Sequence, residues 1–326
     1  MNAVTISILA GVGMVGGLLI RRLWRIGAAL RAWKAIAHLA GLPTLPPAYF
    51  RVALTGCSSG IGRACASLLS KYENVNLLRL GRSPIASSDI EVDLSDFSSV
   101  RTCVNELSGR WYKDSNELSV GQDIVINNAG IFGSSDFARV WETNLIAPAF
   151  MTEAMSNIFT ESKSKGRTLR FVQVCSRLEM RSEIDRENVR TVAQNALSNQ
   201  ADYASVDGYA DSKRCIILHT AYMCSKFASN SSLSYVTMTP GMVNTGLGRS
   251  SVSSLMWWLT VPVRFLLLRH PIEGAVAVLW AAFGCPGETG VYTAEPSEIL
   301  ERISHTRDVE AGRMVSEIVN EHFNIV

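Results

Sequence analysis

Short apolar runs separated by longer stretches of helical spacing make up the pattern of this chain from residue 49 to about residue 240. Helical stretches lie between most of the apolar runs, an order that is typical of a doubly wound α/β fold with a parallel sheet. The pattern therefore predicts a single α/β domain over residues 49–326. The predicted strands cover residues 50–55, 76–82, 90–93, 124–126, 171–175 and 234–239.

The first 22 residues are predicted to be a hydrophobic membrane anchor. Residues 3–20 carry no charge, and as a helix they span ~27 Å, just short of a ~30 Å hydrocarbon core. Arginines follow directly at positions 21, 22 and 25, and a basic flank on this side favours an uncleaved anchor with the remaining chain in the cytosol. Residues 23–48 are predicted to be this basic flank and a proline-containing linker. Because the apolar run holds four glycines, a helix lying on the membrane surface is the alternative.

Composition excludes several function classes. The 326 residues are 47% apolar and 18% charged, which indicates a folded protein. The net charge of +2 gives no global basic field, so nucleic-acid binding is not predicted. Neither the seven cysteines, which include no C-x-x-C pair, nor the five histidines have the spacing of metal ligands, so no metal site is predicted.

A glycine-rich segment follows the first predicted strand directly and precedes a stretch of helical spacing. Small residues at a strand-to-helix turn admit a pyrophosphate, and the free N–H groups at the start of the helix face it. This arrangement predicts a Rossmann-type nucleotide site, although an ordinary loop is the alternative for such a turn taken alone. The candidate cofactor-binding residues of the turn are Gly56, Ser58, Ser59, Gly60, Ile61 and Gly62.

The end of the second predicted strand carries Arg82. An Asp or Glu at this place usually binds the free ribose 2′-hydroxyl of NAD(H), whereas an arginine matches a 2′-phosphate in charge and donor geometry. Arg82 therefore favours NADP(H) as the cofactor. The alternative is a solvated loop charge.

A phenol and an ammonium group, those of Tyr209 and Lys213, stand four residues apart, so on a helix they share one face. A neighbouring Lys⁺ is expected to stabilise the phenolate and bring the pKa of the phenol closer to neutral pH, as acid–base catalysis requires. Ser176 lies at the carboxyl end of the fifth predicted strand, where open α/β sheets bind their ligands. The position of the pair after that strand predicts a catalytic site.

Seven segments follow one another along the chain: residues 55–62, Asp93-Leu94, residues 127–130, Asn144, Ser176, Tyr209-x-x-x-Lys213 and residues 240–245. In this order they resemble the short-chain dehydrogenase/reductase family over roughly residues 49–300. The resemblance implies that Tyr209 exchanges a proton with the substrate oxygen and that Ser176 holds and polarises the carbonyl. It also implies that Lys213 binds the nicotinamide ribose and that Asn144 supports a proton-relay water.

The same resemblance implies further cofactor contacts. Asp93 is expected to contact the adenine and Asn128 the middle of the cofactor. Val243 and Thr245 are expected at the carboxamide end. The remaining candidate cofactor-binding residues are Ala129, Gly130, Tyr209 and Lys213.

The C-terminal portion is similar to the microsomal retinol dehydrogenase (retinal reductase) group, which implies an N-terminal anchor, NADPH and the endoplasmic reticulum. Residues 255–268 carry one charge and one proline, so residues 246–272 are predicted to form an apolar substrate lid. A buried helix or a dimer contact is the alternative. The expected substrate is a hydrophobic carbonyl or alcohol, with retinoids first and steroids or fatty aldehydes and ketones behind. The alternative to an enzyme is a catalytically idle membrane protein that senses the cofactor. Whether the protein forms a homo-oligomer is left open.

Three features depart from the family pattern. Only ten residues separate Arg82 from Asp93, too few for the usual helix between the second and third strands. A polar insert over residues 177–207 lengthens the distance from Ser176 to Tyr209, and Glu179 stands where the family commonly has glycine. The reaction class is unaffected by these departures, but the substrate assignment is weakened.

Overall fold

The computed structural model describes residues 3–45, 49–113, 120–162, 166–200, 205–247, 249, 254–284, 288–295, 298–303 and 307–324. These residues form one eight-stranded sheet of order β3-β2-β1-β4-β5-β6-β7-β8. Neighbouring strands run parallel except β7 and β8, which are antiparallel. The strands are β1 Phe50–Thr55, β2 Val75–Gly81, β3 Ile90–Glu91, β4 Gly121–Asn127, β5 Arg167–Val174, β6 Leu233–Met238, β7 Val291–Glu295 and β8 Glu298–Glu301.

Helices cover both faces of this sheet. They are α1 Ala3–Leu39, α2 Gly60–Leu69, α3 Phe97–Ser108, α4 Phe137–Trp141, α5 Ala147–Glu161, α6 Val189–Leu197, α7 Ser205–Lys226, α8 Ser254–Leu259, α9 Val261–Leu267, α10 Pro271–Leu279 and α11 Val309–His322. Single π-helical turns lie at Gly109–Lys113, Glu142–Ile146 and Trp280–Gly284, and a 3₁₀ turn lies at Arg177–Arg181.

Two cores, one on each face, result from the alternation of side chains along the buried strands. Val52 and Leu54 of β1 belong to the core that includes α1, α2 and α10, whereas Ala53 belongs to the core under α3, α5, α7 and α11. A strand buried on both faces reads as a continuous apolar run, as parallel sheets require. The prediction of a Rossmann-type doubly wound α/β domain is therefore confirmed, and the antiparallel β8 is an addition to it.

The N-terminal segment differs from the prediction of an anchor followed by a linker. Residues 3–39 form one helix, α1, and Trp33, Ile36 and Ala37 of its second half are buried in the core under α10. The Trp33 ring meets that of Phe283 edge to face at 6.1 Å. Spacing of i, i+3 and i+4 places these three residues on one face, and that face packs on the domain. The described residues therefore extend the folded unit to before residue 49.

The membrane-spanning anchor itself is not supported. Among the helices of the described residues, none is both long enough and apolar enough to cross a bilayer.

Residues 246–272, predicted to be a substrate lid, contain two short helices where they are described. α8 ends at Leu259 and α9 begins at Val261, with a proline in its first turn. Most of their described apolar side chains are exposed or half-buried. Residues 248 and 250–253, within the predicted lid, lie outside the described residues.

Candidate active site

A large cleft runs along the carboxyl ends of the parallel strands. Its volume is about 1780 Å³, larger than the ~300–1,000 Å³ of a typical small-molecule pocket. The residues that line it follow β1, β2, β4, β5 and β6 in turn, the edge where open α/β sheets bind ligands. Among them are Gly56, Arg82, Asn128, Ser176, Tyr209, Lys213, Val243 and Thr245. The structure thus brings the predicted site residues together along this cleft, except for Asn144, which is buried and does not line it.

The turn between β1 and α2 requires glycine at positions 56, 60 and 62. Gly56 and Gly60 have φ angles of +73° and +54°, a region that glycine enters without a steric penalty. A Cβ on Gly62 would lie 2.2 Å from the Gly56 carbonyl oxygen and 2.5 Å from Nδ2 of Asn128. Ser59 is the N-cap of α2, yet its side chain forms no capping hydrogen bond, so the first amides of α2 are free to face a ligand.

Thr55 joins this turn to the loop after β4. Its Oγ1 accepts hydrogen bonds from the backbone N–H groups of Asn128 at 3.0 Å and Ala129 at 2.9 Å. The Asn128 amide donates in return to the Thr55 carbonyl at 2.9 Å. The contacts hold Asn128, Ala129 and Gly130 beside the glycine-rich turn. Their contact with the middle of a cofactor stays a prediction.

The end of the cleft near β2 and β3 carries opposite charges. The Arg82 side chain is exposed and has no hydrogen-bond partner among the described residues. Asp93 accepts from the Ser95 N–H at 3.0 Å and the Ser95 hydroxyl at 2.8 Å. The hydrogen bond from the Ser95 backbone, together with the nearby Arg82, holds the pKa of Asp93 below its ordinary value. As predicted, no helix lies between Arg82 and Asp93.

Asn144 lies in the π-helical turn that follows α4. Its Oδ1 accepts from the Ile131 N–H at 2.8 Å, and its Nδ2 donates to the Ile131 carbonyl at 2.9 Å and to Ser212 Oγ at 3.2 Å. Its side chain thereby fixes the loop after β4 against α7. The role of Asn144 in supporting a water stays a prediction.

Ser176, Tyr209 and Lys213 meet where β5 ends against α7. Tyr209 and Lys213 are both buried, and the Lys213 ammonium lies 5.7 Å from the centroid of the Tyr209 ring. The Lys213 ammonium donates to the Val174 carbonyl at 2.9 Å. Phe132, a cleft residue that the sequence did not single out, packs edge to face on Tyr209 at 5.0 Å. The rigid strand end and helix fix the two hydroxyls and the ammonium in one corner of the cleft.

The expected effect of Lys213 on Tyr209 is not found. Burial raises the pKa of the Tyr209 phenol above its ordinary value, and the hydrogen bond with Ser176 only partly offsets this. Burial also lowers the pKa of the Lys213 ammonium. Both groups lose water on burial, which disfavours their charged forms, and the ammonium is engaged by the Val174 carbonyl.

A titration checks this assignment. Because burial raises the pKa of Tyr209, the phenol of the cofactor-free protein should stay protonated past pH ~10, the ordinary value for tyrosine. The ultraviolet absorbance of tyrosinate should show no ionisation of this residue from pH 6 to 9. A single-tyrosine step in that range that disappears in Tyr209→Phe would contradict the assignment.

Glu179 anchors the 3₁₀ turn that begins after Ser176. Its side chain is buried and pairs with Arg307 at 3.1 Å and with Arg214 at 3.3 Å. Arg214 directly follows Lys213 on α7, and Arg307 also pairs with Glu301 at 2.6 Å. Burial raises the pKa of the Glu179 carboxyl, which the Arg307 guanidinium opposes. The network ties the turn after Ser176 to the helix that carries the tyrosine and lysine.

Removing the Glu179 charge should destabilise the protein. Glu179→Gln leaves Arg307 with one carboxylate partner instead of two, and breaking a buried pair costs about 3–5 kcal/mol. Because Glu301 still pairs with Arg307, we expect the lower end of that range in denaturant unfolding. Glu183→Gln, at an exposed position of the same insert, should change the free energy of unfolding by less than about 0.5 kcal/mol. Equal effects of the two substitutions would refute the anchoring role.

The far side of the cleft is closed by the loop after β6 and by α1. A Cβ on Gly60 would lie 3.0 Å from Cγ2 of Thr245, and one on Gly274 would lie 3.0 Å from Cγ2 of Val243. Val243 and Thr245 therefore lie against the glycine-rich turn and α10. Arg25 of α1 also lines the cleft and pairs with Glu273 of α10 at 2.8 Å. The sequence offered no signal for Arg25, since its segment was predicted to be a membrane flank.

Comparisons with known proteins agree with this geometry. A family model described as short chain dehydrogenase matches residues 51–185, which include β1 to β5 and Ser176 but end before Tyr209 and Lys213. The dehydrogenase/reductase SDR family member FEY of Arabidopsis thaliana is 23% identical over 257 residues. The match covers 70% of this chain and 63% of that relative's length.

Two solved structures have the same fold. The 3-alpha-hydroxysteroid dehydrogenase of Pseudomonas sp. B-0831, complexed with NADH, is 20% identical with a TM-score of 0.56, covering 79% of this chain and 99% of its own. The NADPH-bound carbonyl reductase from chicken fatty liver is 17% identical with a TM-score of 0.53, covering 77% and 98%. Identities this low show the fold alone. Over residues 51–185 the chain is therefore similar to the short chain dehydrogenase model, a match that covers less than half of its length.

Proposed function

We propose that the protein is an NADP(H)-dependent oxidoreductase that transfers a hydride between nicotinamide and a hydrophobic carbonyl or alcohol. The observation that carries the proposal is the convergence of Ser176, Tyr209 and Lys213 in one corner of a cleft whose other end is a glycine-rich turn. An acid–base group beside a nucleotide cradle is what such a transfer requires.

The cleft fits a dinucleotide by shape and by donors. The absence of side chains at Gly56 and Gly62 lets the turn pack closely against Asn128 and its own backbone. The first residues of α2 line the cleft, where their backbone amides can bind a pyrophosphate. A volume of about 1780 Å³ has room for a second molecule beside the cofactor, since ~300–1,000 Å³ suffices for one small ligand. Ser176 and Tyr209 supply hydroxyls for the oxygen of that second molecule.

The residues of this corner provide the proton chemistry. When bound, the nicotinamide supplies or accepts the hydride. The Ser176 hydroxyl donates a hydrogen bond to the carbonyl oxygen, and the Tyr209 phenol donates the proton that makes it a hydroxyl. Burial raises the pKa of Tyr209, so the phenol carries its proton at neutral pH, the form that the reductive direction needs. The Val174 carbonyl holds the Lys213 ammonium group in place next to the Tyr209 ring.

Selectivity for the 2′-phosphate is assigned to Arg82. A charge-assisted hydrogen bond contributes about 1.5–3 kcal/mol, so Arg82→Ala should weaken NADPH binding by roughly ten- to a hundredfold. NADH affinity should stay within about threefold, since it lacks the phosphate. Titration of cofactor fluorescence measures both, with Arg186→Ala as the control because Arg186 is exposed and outside the cleft lining. Parallel losses for the two cofactors would contradict the role of Arg82.

The hydrophobic substrate class rests on the apolar side chains at the cleft mouth, Leu247 and Leu267 among them. Consumption of NADPH should be measured with retinal, steroid ketones, long-chain aldehydes and a small polar ketone. Turnover with a hydrophobic carbonyl, faster with NADPH than with NADH, is the expected result. Activity on the small polar ketone alone would refute this substrate class.

A further inference from the structure

Arg25 brings the N-terminal helix into the lining of the cleft. It lies three residues after Arg22 and eight before Trp33, both of which are buried. This spacing puts the three side chains on the face of α1 that packs on the domain. Arg25 lines the cleft from that face, and its side chain is 31% exposed. Part of the side chain is therefore packed, while the rest is accessible to a ligand.

A carboxylate holds the Arg25 guanidinium on the side of the cleft where α2 begins. Nη2 of Arg25 pairs with Oε1 of Glu273 at 2.8 Å. Oε2 of Glu273 accepts from the His270 backbone N–H at 2.7 Å, in the capping box of α10. The next residue, Gly274, packs on Ile61 of the glycine-rich turn, since a Cβ on Gly274 would lie 3.1 Å from Cγ1 of that side chain. Glu273 thus links α1 to the segment that packs against this turn.

The glycine-rich turn itself offers no positive side chain. Residues 56–62 are uncharged, and Arg63, which follows them, is not among the described residues that line the cleft. The N-terminus of a helix contributes only about half a positive charge, so most of the negative charge of a pyrophosphate is left for side chains to balance. Arg25 has the charge to do so. Its guanidinium has N–H donors beyond the nitrogen that pairs with Glu273.

We propose that Arg25 binds the pyrophosphate of the cofactor, so that α1 completes the nucleotide site. The inference rests on the proposed function, because it takes a dinucleotide as the ligand. Arg82 is assigned to the 2′-phosphate, which only NADP(H) has, whereas Arg25 is assigned to a group that NADPH and NADH share. Glu273 is a positioning residue, since it holds the guanidinium while its own charge repels the anion.

Removing the charge of Arg25 in the full chain tests the assignment. Arg25→Gln keeps a hydrogen-bond donor for Glu273 but loses the charge, so NADPH and NADH should both bind roughly ten- to a hundredfold more weakly. Arg31→Gln is the matched control, because Arg31 is exposed on the same helix and does not line the cleft. Its affinities should stay within about threefold of the wild type. Cofactor fluorescence gives the affinities, and the melting temperature without cofactor shows that each variant is folded.

Glu273→Gln separates cofactor binding from a structural role of the ion pair. If the pair only attached α1 to α10, loss of either charge would weaken binding alike. With Arg25 on the pyrophosphate, Glu273→Gln removes a competing carboxylate, and its amide preserves the capping box. Both cofactors should then bind as tightly as to the wild type, or more tightly.

Three results would overturn the assignment of Arg25. They are wild-type affinity in Arg25→Gln, equal weakening in Arg25→Gln and Glu273→Gln, and a loss in Arg25→Gln that is restricted to NADPH, which would place the guanidinium on the 2′-phosphate. In each of them the wild-type chain binds the cofactor and the proposed function stands. A wild-type chain that binds neither NADPH nor NADH would contradict the proposed function and, with it, this inference.

Discussion

Tyr209→Phe should lower turnover by about 10²- to 10⁴-fold, the usual contribution of a positioned proton donor. The substitution removes only the hydroxyl that meets Ser176. The aromatic ring remains, packed on Phe132. The measurement is kcat for a hydrophobic carbonyl with NADPH, beside a titration of NADPH binding, which should be unchanged.

Tyr235→Phe is the control for this substitution. Tyr235 is equally buried, and its hydroxyl meets Ser156 at 2.9 Å under the sheet, away from the cleft lining. Losing that bond should cost about 1 kcal/mol of stability and leave turnover within about twofold. Turnover retained in Tyr209→Phe, or lost equally in both variants, would remove the role assigned to Tyr209.

Gly62→Ala should abolish or severely weaken cofactor binding. The added Cβ would lie 2.2 Å from the Gly56 carbonyl oxygen, and the nearest atoms include backbone that cannot rotate away. Forcing an extra methyl into such a contact costs about 1–3 kcal/mol or more. The displaced turn also carries the amides that face the pyrophosphate. We expect at least a roughly tenfold loss of NADPH affinity together with a lower melting temperature.

Gly109→Ala is the matched control, since a Cβ at that position meets nothing within 4 Å and the residue lies outside the cleft. Its NADPH affinity should match that of the wild type. An unchanged affinity in Gly62→Ala would mean that the glycine-rich turn is not the nucleotide site.

The sequence predicted a strand well where the apolar pattern of the strand itself agrees with its burial in the sheet. β1 was predicted at its observed bounds, and β6 within one residue, because each is a short, mostly apolar run in a sheet buried on both faces. β7 and β8 were missed. Both are short, and β8 contains charged residues at its two ends, Glu298 and Glu301, so its pairing depends on a neighbour far along the chain and not on its own pattern.

The residues that form the site could be predicted from the sequence, but the pKa values of their side chains could not. The convergence of Ser176, Tyr209 and Lys213 follows from strand ends and helix spacing, which sequence shows. The raised pKa of Tyr209 depends on how completely the folded chain removes water, which spacing cannot show. The contribution of Arg25 to the cleft was likewise hidden, because the apolar run before it suggested a membrane and α1 instead packs its second half on α10.

The most direct test of hydride transfer follows the transferred atom. The full chain is incubated with a hydrophobic carbonyl and NADPH deuterated on either face of the reactive ring carbon, and the product alcohol is examined by mass spectrometry. Deuterium on the former carbonyl carbon from one of the two labelled cofactors, absent with Tyr209→Phe, is the predicted result. Bound NADPH with no deuterium transferred to any hydrophobic carbonyl would contradict the account and favour a protein that binds the cofactor without using it.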